Sequence, residues 1–181
     1  MKKLAVALAA SGLFALSVPT AASAAIETEE AKSTAASAAD IARWDMLEVF
    51  GPKALKPNQY LWAKDMGSGP ARVVISLSEQ MAYVYRGDRL VGLATVSSGK
   101  PGKDTPTGIF PVKSKKTMHF SRKYDNAPMP FTQFLDDYGI ALHAGFNPGE
   151  PASRGCVRLP KAFAAKLFQM TEVGTPVLIS A

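Results

Sequence analysis

Cysteine and histidine are scarce in this chain of 181 residues, which holds one Cys and two His. A single thiol rules out an intramolecular disulfide framework. One Cys and two His would still need a carboxylate to close a tetrahedral zinc shell, so no metal and no cofactor are expected. After the first two dozen residues no run of roughly 20 apolar residues occurs, which excludes a later transmembrane helix. There is no internal repeat and no stretch of interleaved basic and aromatic residues, so solenoid architectures and nucleic-acid binding are not expected.

The first 24 residues have the form of a secretion signal. Lys2 and Lys3 precede an uncharged apolar run from Leu4 to Val18, and Ala22-Ser23-Ala24 fits the small-x-small cleavage pattern. The mature protein is expected to begin near Ala25, outside the cytoplasm (periplasmic or cell-wall associated) and without stable membrane insertion. Losing two lysines takes the formal net charge from +6 to +4. The remaining basic excess lies after residue 71 and suits an acidic polymer or a carboxylate-bearing peptide.

Residues 25–70 read as a solvated linker, rich at first in Ala, Ser, Thr and Glu. Within it Asp40 to Phe50 is expected to form a short amphipathic helix, with Ile41, Trp44, Leu47 and Val49 on its apolar side and Gly51-Pro52 as its stop. From residue 71 onward the pattern is that of strands. Expected segments run from Arg72 to Ser78, Met81 to Arg86 and Arg89 to Ser97, then from Gly108 to Ser114, Tyr138 to Leu142 and Pro176 to Ile179. A helix starting at Pro160 carries Phe163, Leu167 and Met170 at helical spacing, with Gly174 able to end it. The fold class is mainly β with one or two short helices, in a single domain over residues 71–181.

The chemistry concentrates between His143 and Arg158. A lone cysteine in an oxidising compartment suits a nucleophile, since the thiolate attacks carbonyls and a neighbouring imidazole can take its proton and form an ion pair. His143 is the candidate base; His119 falls in the polar stretch Met118 to Lys123 and reads as a loop residue. Gly155 allows a tight turn before the nucleophile, and the amides of Gly155 and Cys156 are candidate oxyanion donors. Arg158 can hold a substrate carboxylate bidentately or form a structural ion pair, and Arg154 can assist it or lie in solvent.

His143-Ala144-Gly145 followed by Pro151-Ala152-Ser153-Arg154-Gly155-Cys156-Val157-Arg158-Leu159-Pro160 resembles the catalytic signature of the L,D-transpeptidase, or YkuD-type, domain. Thr105-Pro106-Thr107-Gly108-Ile109-Phe110-Pro111-Val112 resembles a second signature of that family, and Val96-Ser97-Ser98-Gly99 fits the segment before it. The resemblance implies a β-sandwich catalytic domain acting on peptidoglycan stem peptides. It also implies a cysteine that attacks the bond after the third stem residue, usually diaminopimelate, and releases D-alanine. The thioester then passes to an amine of another stem, to a protein lysine that anchors a lipoprotein, or to a free D-amino acid.

Carried over by position, Cys156 is the nucleophile and His143 the base. Ser153, Arg154 and Gly155 support the loop and the oxyanion site, while Arg158, Tyr124, Met129 and Pro130 contact substrate. Many members have histidine where this chain has Arg154, which cannot act as a base near neutral pH but stays cationic. Two other readings stay open on the sequence: a hydrolase of the same family, which transfers the acyl group to water, and a non-catalytic wall-binding module.

Overall fold

The computed structural model describes residues 27–181, so the expected leader lies outside the described residues. In chain order the elements are α1 (Glu29–Phe50), β1 (Tyr60–Trp62), β2 (Ala71–Ser76), β3 (Met81–Arg86), β4 (Arg89–Thr95) and β5 (Gly108–Pro111). They continue with β6 (Ser114–Ser121), β7 (Ala127–Phe134), β8 (Ala141–Ala144), β9 (Val157–Leu159), α2 (Lys161–Met170) and β10 (Pro176–Ser180). The mainly β expectation holds, and among the described residues no helix is long and apolar enough to cross a membrane.

Two sheets face each other. One has six strands in the order β1-β4-β3-β2-β10-β5, and the other has four in the order β6-β7-β8-β9. Between them lies the main core, where Val73, Ile75 and Val84 meet Leu142, Val157 and Leu159, closed by Phe163 and Leu167 of α2. The opposite face of the larger sheet is also covered. Val74, Tyr83, Tyr85, Leu93 and Leu178 pack there against Ala35, Ala39 and Ala42 of α1. Because successive strand residues point to opposite faces, a strand buried on both is apolar at every position, as in Val73-Val74-Ile75 and Val177-Leu178-Ile179.

The helix differs from its expectation in length and in face. It begins at Glu29, where the Thr28 hydroxyl accepts a hydrogen bond from the Ala31 amide at 3.2 Å and two glutamates occupy the first turn, favourable at the positive end of the helix dipole. Alanine has the highest helix propensity, so the Ala-rich stretch first read as linker is helical once a sheet covers it. The buried side is the alanine stripe Ala31, Ala35, Ala39 and Ala42, whereas Ile41, Trp44, Leu47 and Val49 remain exposed. Small side chains let the helix axis approach the sheet closely. Polar anchors reinforce the contact: the Tyr85 hydroxyl donates to the Asp45 carboxylate at 2.6 Å, and Arg43 pairs with Glu79 at 3.3 Å.

Strands β1, β6, β7 and β9 were not expected, and His119 lies on β6 rather than in a loop. The first strand after residue 134 also starts later than expected. The Asp136 carboxylate accepts from the amides of Tyr138, Gly139 and Ile140 at 3.0, 2.8 and 2.8 Å, which removes them from a sheet ladder until Ala141. The pair β6–β7 is long, but β8 joins β7 only at Gln133 and Phe134. Its outer half therefore projects as a two-stranded arm, and Pro128 and Pro130 fit there because their missing N–H groups face no further strand. Asp125 and Asn126, with φ of 51° and 52°, form the turn at its tip, closed by the bond from the Ala127 amide to the Tyr124 carbonyl at 2.9 Å.

The packing of α1 generates a contrast in stability. Ala35→Leu forces three extra heavy atoms into a contact with no free surface and is expected to cost about 1–3 kcal/mol. Trp44→Ala, on the exposed side, is expected to stay within about 0.5 kcal/mol of the parent. Urea unfolding of the two variants checks this, and a reversed order would mean that the helix docks through its large side chains.

Candidate active site

Strands β8 and β9 run parallel, with Leu142 opposite Val157, His143 opposite Arg158 and Ala144 opposite Leu159. Extending this register by one residue sets Cys156 beside Ala141. Since alternate residues share a face, Cys156, Arg158 and His143 project to the same side. Cys156 and His143 line one cleft of about 630 Å³, together with Lys100, Phe146, Ser153 and Arg158. Cys156 also lines a second cleft of about 950 Å³ that runs along β6 past Met118, His119 and Phe120. Tyr124, Met129 and Arg154 border both clefts, so the thiol sits where they meet.

The loop that presents Cys156 is held by the segment 97–105. Ser97 and Arg158 exchange backbone hydrogen bonds at 3.1 and 3.0 Å, and the Ser98 carbonyl accepts from the amides of Ala152 and Ser153 at 3.0 and 2.9 Å. The Thr105 hydroxyl accepts from the Gly99 amide at 2.9 Å and donates to the Gly155 carbonyl at 2.8 Å. Glycine is required at both ends of this clamp. A Cβ on Gly99 would lie 2.0 Å from the Lys103 carbonyl oxygen, and Gly155 has φ of +114° with Ile140 2.7 Å from where its Cβ would be.

Ser153 occupies the interior of the loop. Its hydroxyl donates to the Cys156 carbonyl at 2.5 Å and accepts from the Gly155 amide at 3.1 Å. The Gly155 amide, one of the two candidate oxyanion donors, is thereby engaged within the loop. Gly155 itself is buried.

The imidazole of His143 is nine-tenths hidden from solvent and bonded through Nδ1 to the Ala144 carbonyl at 2.8 Å. A carbonyl only accepts, so Nδ1 carries the proton and Nε2 keeps its lone pair. Burial lowers the pKa of His143 and outweighs the raising effect of that bond; Arg158 and His119 push the same way as burial. For Cys156 burial raises the pKa, helped by Asp136 and opposed by a hydrogen bond from the Ala141 amide and by Arg158. Both shifts favour the neutral forms, and the thiol donates to the Gly139 carbonyl at 3.4 Å. They disfavour, in the site without substrate, the thiolate–imidazolium pair that the sequence allows.

Other expected site residues are placed as follows. The Arg154 guanidinium stands 4.4 Å from the centroid of the Tyr124 ring, which ties the active-site loop to the tip of the β6–β7 arm. Met129 is buried within the arm and borders the clefts, but Pro130 pairs with Met118 and lines neither, and Pro128 takes its place in the His143 cleft. Lys100, Phe146, His119 and Tyr138 were not picked out as site residues. The exposed Phe146 and Tyr138 carried a faint signal as large side chains flanking glycines close to the His143–Cys156 segment.

Comparison with known proteins shows the family and the fold. The family model described as the L,D-transpeptidase catalytic domain, YkuD, matches residues 70–179. A YkuD protein of Bacillus licheniformis is 28% identical over 117 residues, which are 61% of this chain and 66% of that protein. An L,D-transpeptidase from Mycobacterium smegmatis shares the fold at a TM-score of 0.57 and 20% identity, over 61% of this chain and 58% of that one. The corresponding domain from Xylanimonas cellulosilytica gives a TM-score of 0.56 at 27% identity, over 65% of this chain and 63% of that one. This chain thus spans slightly less than two thirds of the length of these relatives.

Two measurements probe the site directly. Thr105→Val keeps the shape but leaves the Gly99 amide and the Gly155 carbonyl without their partner, and is expected to cost about 1–3 kcal/mol in thermal or urea unfolding. Alkylation of Cys156 by iodoacetamide follows its thiolate fraction. With the folded pKa raised, the rate should climb with pH through a midpoint above that of free cysteine measured in parallel, whereas a plateau already reached at neutral pH would show a standing ion pair.

Proposed function

Because the chain belongs to the L,D-transpeptidase catalytic-domain (YkuD) family, we propose that it is a cysteine acyltransferase acting on peptidoglycan stem peptides outside the cytoplasm. The observation that carries the proposal is the parallel β8–β9 register, which turns Cys156 and His143 toward one cleft. A purely structural role would not require a lone thiol and a tautomer-fixed imidazole to share a solvent-reachable wall.

The chemistry follows from a thiol whose pKa is raised and an imidazole whose pKa is lowered. When a peptide carbonyl arrives above Cys156, the thiol leaves the Gly139 carbonyl, Nε2 of His143 takes its proton, and sulfur bonds to the carbonyl carbon. The negative charge on the tetrahedral oxygen falls to the Cys156 amide. The imidazolium then gives its proton to the departing amine of D-alanine as the C–N bond breaks, leaving a thioester. In the second half an acceptor amine attacks the thioester, His143 removes its proton, and the thiol is re-formed with that proton. The departing and the entering amine both need His143, so both belong in the cleft that it lines. The rest of the acyl donor then extends along the other cleft, beside β6. Arg158 and Lys100 supply positive charge on the amine side, suited to the terminal carboxylate of D-alanine.

Mass spectrometry of tetrapeptide stems incubated with the protein tests this reading. D-alanine release with a joined dimer is expected from the parent and should be abolished in Cys156→Ala. His143→Ala should lower the rate by about 10²–10⁴-fold. Release that survives in Cys156→Ala would sink the proposal, and tripeptide without dimer would move it to hydrolysis.

A further inference from the structure

The arm-side cleft is walled by cations from three separate parts of the chain. Lys116, Arg122 and Lys123 come from β6 and the arm, Lys103 from the turn after Gly99, and Arg154 from the active-site loop, while Asp104 is the one acidic residue among its walls. Among the described residues the four ion pairs join Lys32 to Glu29, Arg43 to Glu79, Arg89 to Asp65 and Lys113 to Asp137, so none of the five cleft cations has a carboxylate partner. Beside them stand Met118 and Phe120, about half exposed, and Tyr138, almost fully exposed. Apolar walls of this kind reduce screening and strengthen the field of the charges they border.

Two of these cations converge. His119 lies on β6 between Lys116 and Arg122, and its pKa is lowered first by burial and then by both of them, so each acts on the same stretch of cleft. Nothing in the catalytic scheme uses that positive charge, because His143, Arg158 and Lys100 serve the amine side.

We infer that this cleft recognises free carboxylates on the acyl-donor peptide, with Lys116 and Arg122 as specificity-determining residues. The inference rests on the reading that the donor stem lies along β6. A carboxylate there accepts charge-assisted hydrogen bonds from ammonium and guanidinium groups. The corresponding carboxamide has no charge and keeps one accepting oxygen in place of two, its NH2 finding no acceptor among groups that can only donate. The enzyme therefore selects stems whose internal carboxyl groups are unmodified over stems in which they are amides.

The test uses two synthetic tetrapeptide stems, identical in their terminal D-alanine carboxylate and differing only in whether the internal carboxyls are free or amidated. Binding is measured by calorimetry on Cys156→Ala, which keeps the cleft but cannot turn over. The free-carboxylate peptide is expected to bind roughly tenfold tighter, and adding Lys116→Gln with Arg122→Gln should bring the two peptides close to parity. Both side chains are exposed, so the substitutions leave the fold in place, which the unfolding temperature checks. Equal binding of the two peptides, including no detectable binding of either, overturns the inference, as does a preference that survives the double substitution. D-alanine release by the parent is scored separately. A binding preference without release would keep carboxylate recognition and remove the transpeptidase reading.

Discussion

The hydroxyl of Thr105 holds together parts of the chain 50 residues apart, and the geometry of the site depends on it. By accepting from Gly99 and donating to Gly155 it locks the loop that ends at Cys156 onto the segment 97–105. From that point β9 enters parallel to β8, and only then do Cys156 and His143 share a face. The two glycines sit at the ends of this clamp: a side chain at Gly99 would run into the backbone of Lys103 to Thr105, and Gly155 combines a φ of +114° with close contact to Ile140. Ser153 completes the arrangement from inside the loop by engaging the Gly155 amide and the Cys156 carbonyl.

Around this fixed centre the two clefts are built differently. The cleft that His143 lines is built on the sandwich itself, with Arg158 in β9 and His143 in β8, both backed by the core. The other is built on an arm that leaves the sheet where β8 stops pairing, and its base is secured by Lys115, whose ammonium donates to the Phe168 and Thr171 carbonyls at the end of α2 at 2.6 and 2.5 Å. The arm meets the active-site loop again at its tip, through Tyr124 and Arg154. At position 154 arginine gives a planar cation able to stack on that ring while bordering both clefts.

Much of the sandwich was legible in the sequence. The hairpins of β2, β3 and β4 follow from alternating apolar runs and the Gly87-Asp88 turn, and α2 follows from the spacing of Phe163, Leu167 and Met170. The spacing of His143 and Cys156 also singled out two residues that the β8–β9 register turns toward one cleft. The arm escaped detection because Ser114 to Phe120 packs little against the core and so shows no buried face. The helix α1 escaped for a related reason: alanine is weakly apolar, so the stripe that is buried looks blander than Ile41, Trp44 and Leu47, which are not. Yet Val73-Val74-Ile75 and Val177-Leu178-Ile179 have no polar face, and that pattern already required a second cover for the sheet. The engaged Gly155 amide and the raised pKa of the thiol depend on side-chain placement and desolvation, which no spacing rule carries.

The raised pKa of Cys156 also bears on durability. Peroxides and foreign disulfides react with thiolate far faster than with thiol, so burial that lowers the thiolate fraction also slows sulfenic acid formation and mixed disulfides. With no second cysteine in the chain to resolve such damage, that chemical quiet protects the one sulfur it has.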